Sequence, residues 1–140
     1  MTAIGAAAIA VLASCTSSTS DEGDVQITLR DFRIELSGSS VPSGQVTFAA
    51  TNEGPSVHEF EIFSVPDGVD PNDLPVSDNV ADTDGAGLEV IDEVEDIAPS
   101  TTANLTVALQ PGTYAVICNL AGHYQQGMHA ELTVTMHAPK

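Results

Sequence analysis

Tyr114-Ala115-Val116-Ile117-Cys118-Asn119-Leu120-Ala121-Gly122-His123-Tyr124-Gln125-Gln126-Gly127-Met128 is the stretch on which the reading of this chain turns. It opens as an apolar strand and then offers a Cys, a His and a Met with four residues in each gap. A thiolate, an imidazole and a thioether are the soft to borderline donors that copper prefers. The set lacks a second imidazole, and His58 is the upstream candidate. It follows Asn52-Glu53-Gly54-Pro55-Ser56-Val57, where a turn leads into a strand. Taken singly, Cys118 reads as an inert buried thiol, Met128 as packing and His58 as a surface or capped histidine. Their conjunction with paired glycines favours a metal site.

Outward from this segment the chain has period two. Val25, Ile27 and Leu29 alternate with polar residues, and Phe32, Ile34 and Leu36 repeat this after a one-step phase change, as two short strands or one bent strand. Val46, Phe48 and Ala50 share a face, as do Phe60 with Ile62, Leu105 with Val107 and Leu109, Tyr114 with Val116, and Leu132 with Val134 and Met136. Gly38-Ser39-Ser40 and Pro42-Ser43-Gly44 carry turn chemistry, and Pro111-Gly112 predicts a tight turn between antiparallel neighbours. Short strands punctuated by Gly and Pro predict an all-β sandwich. In a Greek-key arrangement His58 can come beside the Cys118 loop.

The whole chain has 140 residues, with 20 acids against 3 bases and a formal charge of −17. That field repels phosphate and excludes nucleic acid as a partner. Eleven of the 20 acids fall between Ser64 and Ser100, which holds no base, so residues 64–100 read as a long solvated acidic connection. Leu88, Val90, Ile91, Val94 and Ile97 within it could dock one short helix or strand. Asp82 and Asp84 do not meet the ligand order of a calcium loop. At the other end, residues 1–15 read as an export signal, with an apolar run from Ile4 to Ala13. Leu12-Ala13-Ser14-Cys15 resembles the bacterial lipoprotein box, which implies a lipid on Cys15. No Lys or Arg precedes the run, so the chain is expected to start upstream of Met1. Residues 16–24 follow as a flexible Ser/Thr tether, and one domain over 25–140 is expected.

A strand ending in Cys118, Gly122-His123 and Gly127-Met128 after it, and the upstream Asn52-x-Gly54-Pro55-x-x-His58 together resemble the cupredoxins, the small blue copper proteins. The two equal gaps are most similar to the rusticyanin and sulfocyanin-like branch, since plastocyanins have a shorter first gap. The resemblance implies a sandwich of about seven to eight strands and one copper ion cycling between Cu(II) and Cu(I). His58, Cys118 and His123 would be trigonal ligands and Met128 the weak axial one. Around them, Asn119 would brace the two ligand loops, and Pro55 with Gly54 would stiffen the approach to His58. Phe60, Tyr114, Leu120 and Ala121 would form an apolar shell. Glu59 is expected to face away, His129 is left out of the site, and His137 is expected to be solvated.

Electron transfer through the edge of His123 is the leading expectation, with Tyr124, Leu120 and Ala121 as an apolar docking patch. The partner would be a redox protein such as a cytochrome or terminal oxidase with a basic face, met by a monomer outside the cytoplasm. Copper acquisition or delivery at the cell surface is the alternative. An enzyme reading is weak, because two of the four histidines are assigned and no His-x-His pair exists. A metal-free adhesion sandwich has no use for the Cys118 to Met128 spacing. The acidity is equally consistent with docking and with adaptation to high salt.

Overall fold

The alternating runs pair into two sheets around a shared apolar core in the computed structural model, which describes residues 24–137. The expected export signal with Cys15, the tether up to Gly23 and the last three residues lie outside this range. One sheet contains β1 (Val25–Arg30), β2 (Arg33–Leu36), β4 (Gly44–Asn52) and β9 (Thr102–Leu109), in the order β2-β1-β4-β9. The other contains β3 (Ser40–Pro42), β5 (His58–Val65), β8 (Glu89–Ile97), β10 (Gly112–Ile117) and β11 (His129–Thr135), in the order β3-β11-β10-β5-β8. A small hairpin, β6 (Val76–Ser77) with β7 (Val80–Ala81), and one helical turn, α1 (His123–Gln126), complete the described elements.

The all-β sandwich is as the sequence predicts, and the one-step phase change is explained by a hairpin. β1 and β2 pair antiparallel through Leu29 and Ile34, with only Asp31 and Phe32 between the strands. Val25, Ile27, Leu29, Phe48, Phe60, Ile62, Val116 and Leu132 are almost wholly buried in the shared core. Phe48 and Phe60 meet there, with ring centroids 6.5 Å apart.

Three local expectations are corrected. Among the described residues the sandwich has nine strands where about seven to eight are expected, partly because the turn-like Ser40–Pro42 segment is a strand running parallel to β11 and burying Val41. Pro111 and Gly112 do not join antiparallel neighbours: β9 lies in one sheet beside β4, β10 in the other between β5 and β11, so the turn crosses between sheets. Met136 falls just beyond β11 and is 79% exposed, so the last core positions are Leu132 and Val134.

The acidic stretch is not a single solvated insertion. It ends in β8, an edge strand paired with β5. Glu89, Asp92, Glu93, Glu95 and Asp96 of β8 are all exposed, and this row of charge discourages another strand from adding to the open edge. Before β8, the chain lays Leu74, Ala81 and Leu88 against Phe63, Val65, Ala115, Ile117 and Tyr124, forming a second apolar cluster. The five-stranded sheet is therefore covered on both faces, which is why β5 and β10 are almost continuously buried.

Tyr124 fastens this cover. Its hydroxyl donates to the Pro71 carbonyl at 2.9 Å and accepts from the Leu74 N–H at 2.9 Å. Tyr124→Phe leaves both backbone groups short of a partner in a buried position. It is expected to lower stability by about 1–2 kcal/mol in urea denaturation. Hydrogen exchange should rise first over residues 70–75.

Candidate metal centre

β5 begins at His58 and β10 ends one residue before Cys118, and both residues are fully buried. The chain then makes the single turn α1 between two glycines with positive φ, Gly122 at 82° and Gly127 at 124°. These conformations bend the chain into and out of the turn at little steric cost. They return Met128 beneath Cys118. The Cys118 N–H donates to the Met128 carbonyl at 3.1 Å, and the Met128 N–H donates to the His123 carbonyl at 3.1 Å. Three of the four expected ligands are thus linked through their own backbones, and the Met128 side chain is buried.

His58 Nδ1 and His123 Nδ1 lie 3.3 Å apart, and Cys118 Sγ lies 3.4 Å from His123 Nδ1 and 4.0 Å from His58 Nδ1. Donors bound at about 2.0–2.3 Å to one ion in a trigonal plane are about 3.5–3.7 Å apart. The three separations bracket that range. The outer nitrogen of His58, Nε2, is 2.8 Å from Asp31 Oδ1. A carboxylate only accepts, so Nε2 carries the proton and the Nδ1 lone pair points inward. Two imidazoles and a thiol, with the buried Met128 thioether following in the same loop, are a donor set that would hold one copper ion.

The supporting groups are partly those expected. Asn52, fully buried, donates to the Ser56 and Ile97 carbonyls at 2.8 Å each and accepts from the Gly54 N–H at 2.9 Å, so it shapes the approach to His58. The side chain of Asn119 braces a different partner from the one expected: it pairs with the backbone of Ala81 in β7, at 2.8 and 3.2 Å. Beyond the antiparallel pairing of β5 with β10, the Asn119 backbone N–H donates to Glu59 Oε1 at 3.2 Å and so ties the residue after Cys118 to the residue after His58. Glu59 is accordingly buried rather than turned out to water. Phe60 packs in the shared core, and the Tyr114 hydroxyl donates to the Gln110 carbonyl in the turn before β10. The ring against the imidazoles is Phe32, whose centroid lies 4.9 Å from that of His123 and 6.5 Å from that of His58.

Tyr124 is buried under the acidic connection and does not belong to a docking patch. Leu120 and His123 are half-buried, Ala121 between them is exposed, and so is Val57, which directly precedes His58. His129 bonds Asn72 at 2.9 Å and packs on Tyr124, apart from the ligand group, and His137 is exposed. Asp31 and Phe32 were not among the expected site residues. The signal for them was the break in alternation, because the hairpin tip is what reaches the imidazoles.

Burial shifts the titrating groups. It pushes the Cys118 thiol up, with the charges of Glu59 and Glu61 acting in the same direction. It pushes His123 down, and so keeps that ring neutral and able to ligate. The Ser56 hydroxyl, bonded to Asp31, is the largest influence holding that carboxyl below its ordinary range. Glu61 is pushed up to about 7 from 4.5, first by burial and then by the neighbouring Glu59 charge.

The cupredoxin-like domain family model matches residues 2–134, and the chain belongs to that family. The iron uptake system component EfeO of Yersinia pestis is 28% identical over 123 residues, covering 88% of this chain. EfeO of Yersinia pseudotuberculosis serotype I (strain IP32953) is 29% identical over 120 residues, covering 85%. This chain spans about a quarter of the length of these curated relatives, 26% in each case. Among solved structures, reduced auracyanin from Roseiflexus castenholzii superposes with a TM-score of 0.55 at 21% identity, covering 81% of this chain and 95% of that one. Rusticyanin from Thiobacillus ferrooxidans gives 0.53 at 19% identity, covering 79% and 76%. These structural likenesses establish the fold.

Two outcomes follow from the titrating groups. With the thiol protonated at pH 7, one equivalent of copper should expel about one proton from the apo-protein. An indicator dye in weak buffer would record it, and Cys118→Ala should abolish it. For Glu61, the folded chain keeps a proton that the unfolded chain loses above pH 4.5, so stability is full below that pH and declines as pH rises to about 7. Glu61→Gln should therefore stabilise the protein at pH 8 by about 1–2 kcal/mol, allowing for screening at a partly exposed site, and by little at pH 4. Denaturation at the two pH values checks the sign.

Proposed function

We propose that this chain is a one-electron carrier with a type 1 copper centre, held by His58, Cys118, His123 and Met128 and working outside the cytoplasm. The observation that carries the reading is the convergence of Cys118 Sγ and two imidazole Nδ1 atoms within 4.8 Å, with two of the three residues buried. Copper in such a set changes oxidation state with little rearrangement, because a trigonal His₂Cys site suits neither state fully and needs no new ligand in either. The protein's part is to fix the donors and keep water out. His58 and Cys118 are closed off, Phe32 covers the imidazoles, and the half-buried His123 is the ligand nearest solvent. An electron would leave by that ring, beside Leu120 and Ala121. A redox protein with a basic docking face is the partner that a chain of charge −17 favours, bound weakly enough to release quickly. The same reading has a monomer tethered through a lipid on Cys15, with copper as its one cofactor.

The likeness to EfeO favours a second reading, in which the site serves metal acquisition or delivery. Delivery requires that an incoming ligand reach the ion. With the Cys118 and His58 side chains sealed in the core, the electron-carrier reading is the better supported.

Optical and EPR spectra of the protein from Asp21 onward, titrated with Cu(II), test it. The expected result is an intense thiolate charge-transfer band that ascorbate bleaches, that an oxidant restores, and that Cys118→Ala lacks. A colourless protein that takes only Cu(I), or no copper, would overturn it in favour of delivery or a structural role.

A further inference from the structure

We propose that Asp31 is a positioning residue for the metal centre: its carboxylate holds His58 by the Nε2 proton, aims Nδ1 at Cys118 and His123, and favours Cu(II) over Cu(I). The proposal rests on the copper reading above.

The contact is built from several parts of the chain. Asp31 sits at the tip of the β1–β2 hairpin, and its Oδ1 is 2.8 Å from His58 Nε2. The other oxygen, Oδ2, accepts from the Ser56 hydroxyl, and the Ser56 N–H reaches Oδ1 at 3.4 Å. Gly54 makes room for the pair. A Cβ at that position would stand 2.5 Å from Asp31 Oδ1 and 3.1 Å from His58 Nε2, a clash that one of the groups would have to relieve. The neighbouring arginines do not compete for the carboxylate: Arg30 pairs with Glu53 and Glu35, and Arg33 with Glu35. The carboxylate is mostly covered, with 19% of its side-chain surface exposed, while the His58 side chain has none.

A charged acceptor forms a bond roughly twice as strong as a neutral one. It also draws the Nε2 proton outward and enriches the Nδ1 lone pair, making the imidazole a better donor to its metal. The more highly charged ion gains more from this, so the carboxylate biases the couple toward its oxidised form. It also fixes the ring tautomer before any metal arrives, which is a property of the apo-protein.

Asp31→Asn keeps the shape and an acceptor oxygen but removes the charge, whereas Asp31→Ala removes both. In Asp31→Asn the blue band should persist while the preference for Cu(II) over Cu(I) falls about tenfold, a rise of ~59 mV in the midpoint potential of a one-electron couple. In the metal-free wild type, ¹⁵N NMR should show His58 as the Nε2–H tautomer, and Asp31→Ala should lose that preference. An unchanged potential in Asp31→Asn, or an Nδ1–H tautomer in the wild type, would overturn the proposal. Should Asp31→Ala fail to fold, Asp31→Asn and the wild-type tautomer decide it. A wild type that takes no copper sinks the carrier reading and the redox half of this proposal together. A wild type that turns blue, beside an unaltered potential in Asp31→Asn, sinks this proposal alone.

Discussion

Two imidazole nitrogens and a thiol that face one another within 4.8 Å share only weak contacts, the nearest to the sulfur being Cys118 Sγ to His123 Nδ1 at 3.4 Å, too little to hold them there. Their approach must be imposed by the surrounding chain, and much of the structure at this end of the sandwich does so. β10 delivers Cys118 already sealed from water. The bonds linking the Cys118, Met128 and His123 backbones close the loop on itself. On the other side, Asn52 satisfies two backbone groups of the bend before His58 and one at the end of β8, and the hairpin tip brings a carboxylate and an aromatic ring to the imidazoles. A cation placed among the donors would relieve the crowding that these restraints create, which is how a preformed site achieves selectivity through geometry as well as raw affinity.

Charge is distributed with a similar economy. The carboxylates of β8 lie along an edge that would otherwise invite another strand, so the acids that give the chain its field also guard its weakest border. Glu59 and Glu61 differ from these. They are drawn into partial burial on β5, and one of them accepts the N–H of the residue after Cys118. Negative charge therefore stands both at the rim of the molecule and close to the ligand strand, where its cost in desolvation is highest.

The four ligand candidates were legible because donor chemistry is local: a Cys, a His and a Met at equal gaps announce themselves without knowledge of the fold. The strands were legible for the same reason, since alternation is a property of each segment. What stayed hidden depends on neighbours distant in sequence. Asp31 is an ordinary acid until the hairpin carries it 27 positions along the chain to His58. Tyr124 looked like a surface aromatic beside a ligand, and only the approach of Pro71 and Leu74 makes it a buried anchor. Pro111-Gly112 specified a turn but not whether the next strand would stay in the same sheet. Leu74, Ala81 and Leu88 of the acidic connection recur too sparsely, one in seven residues, to mark a helix face or a strand face, although each one is buried.

Tyr124 also stands next to His123 in α1, so one residue binds the acidic connection and its neighbour serves as a ligand. The segment that looks most dispensable on paper, a charged stretch between strands, is therefore a poor place to shorten the molecule. Trimming it would uncover Phe63, Val65, Ala115 and Ile117 on the outer face of the five-stranded sheet. It would also cut the anchorage of the turn that aims His123, so a smaller scaffold carrying this centre would need a substitute roof before it needed a better set of ligands.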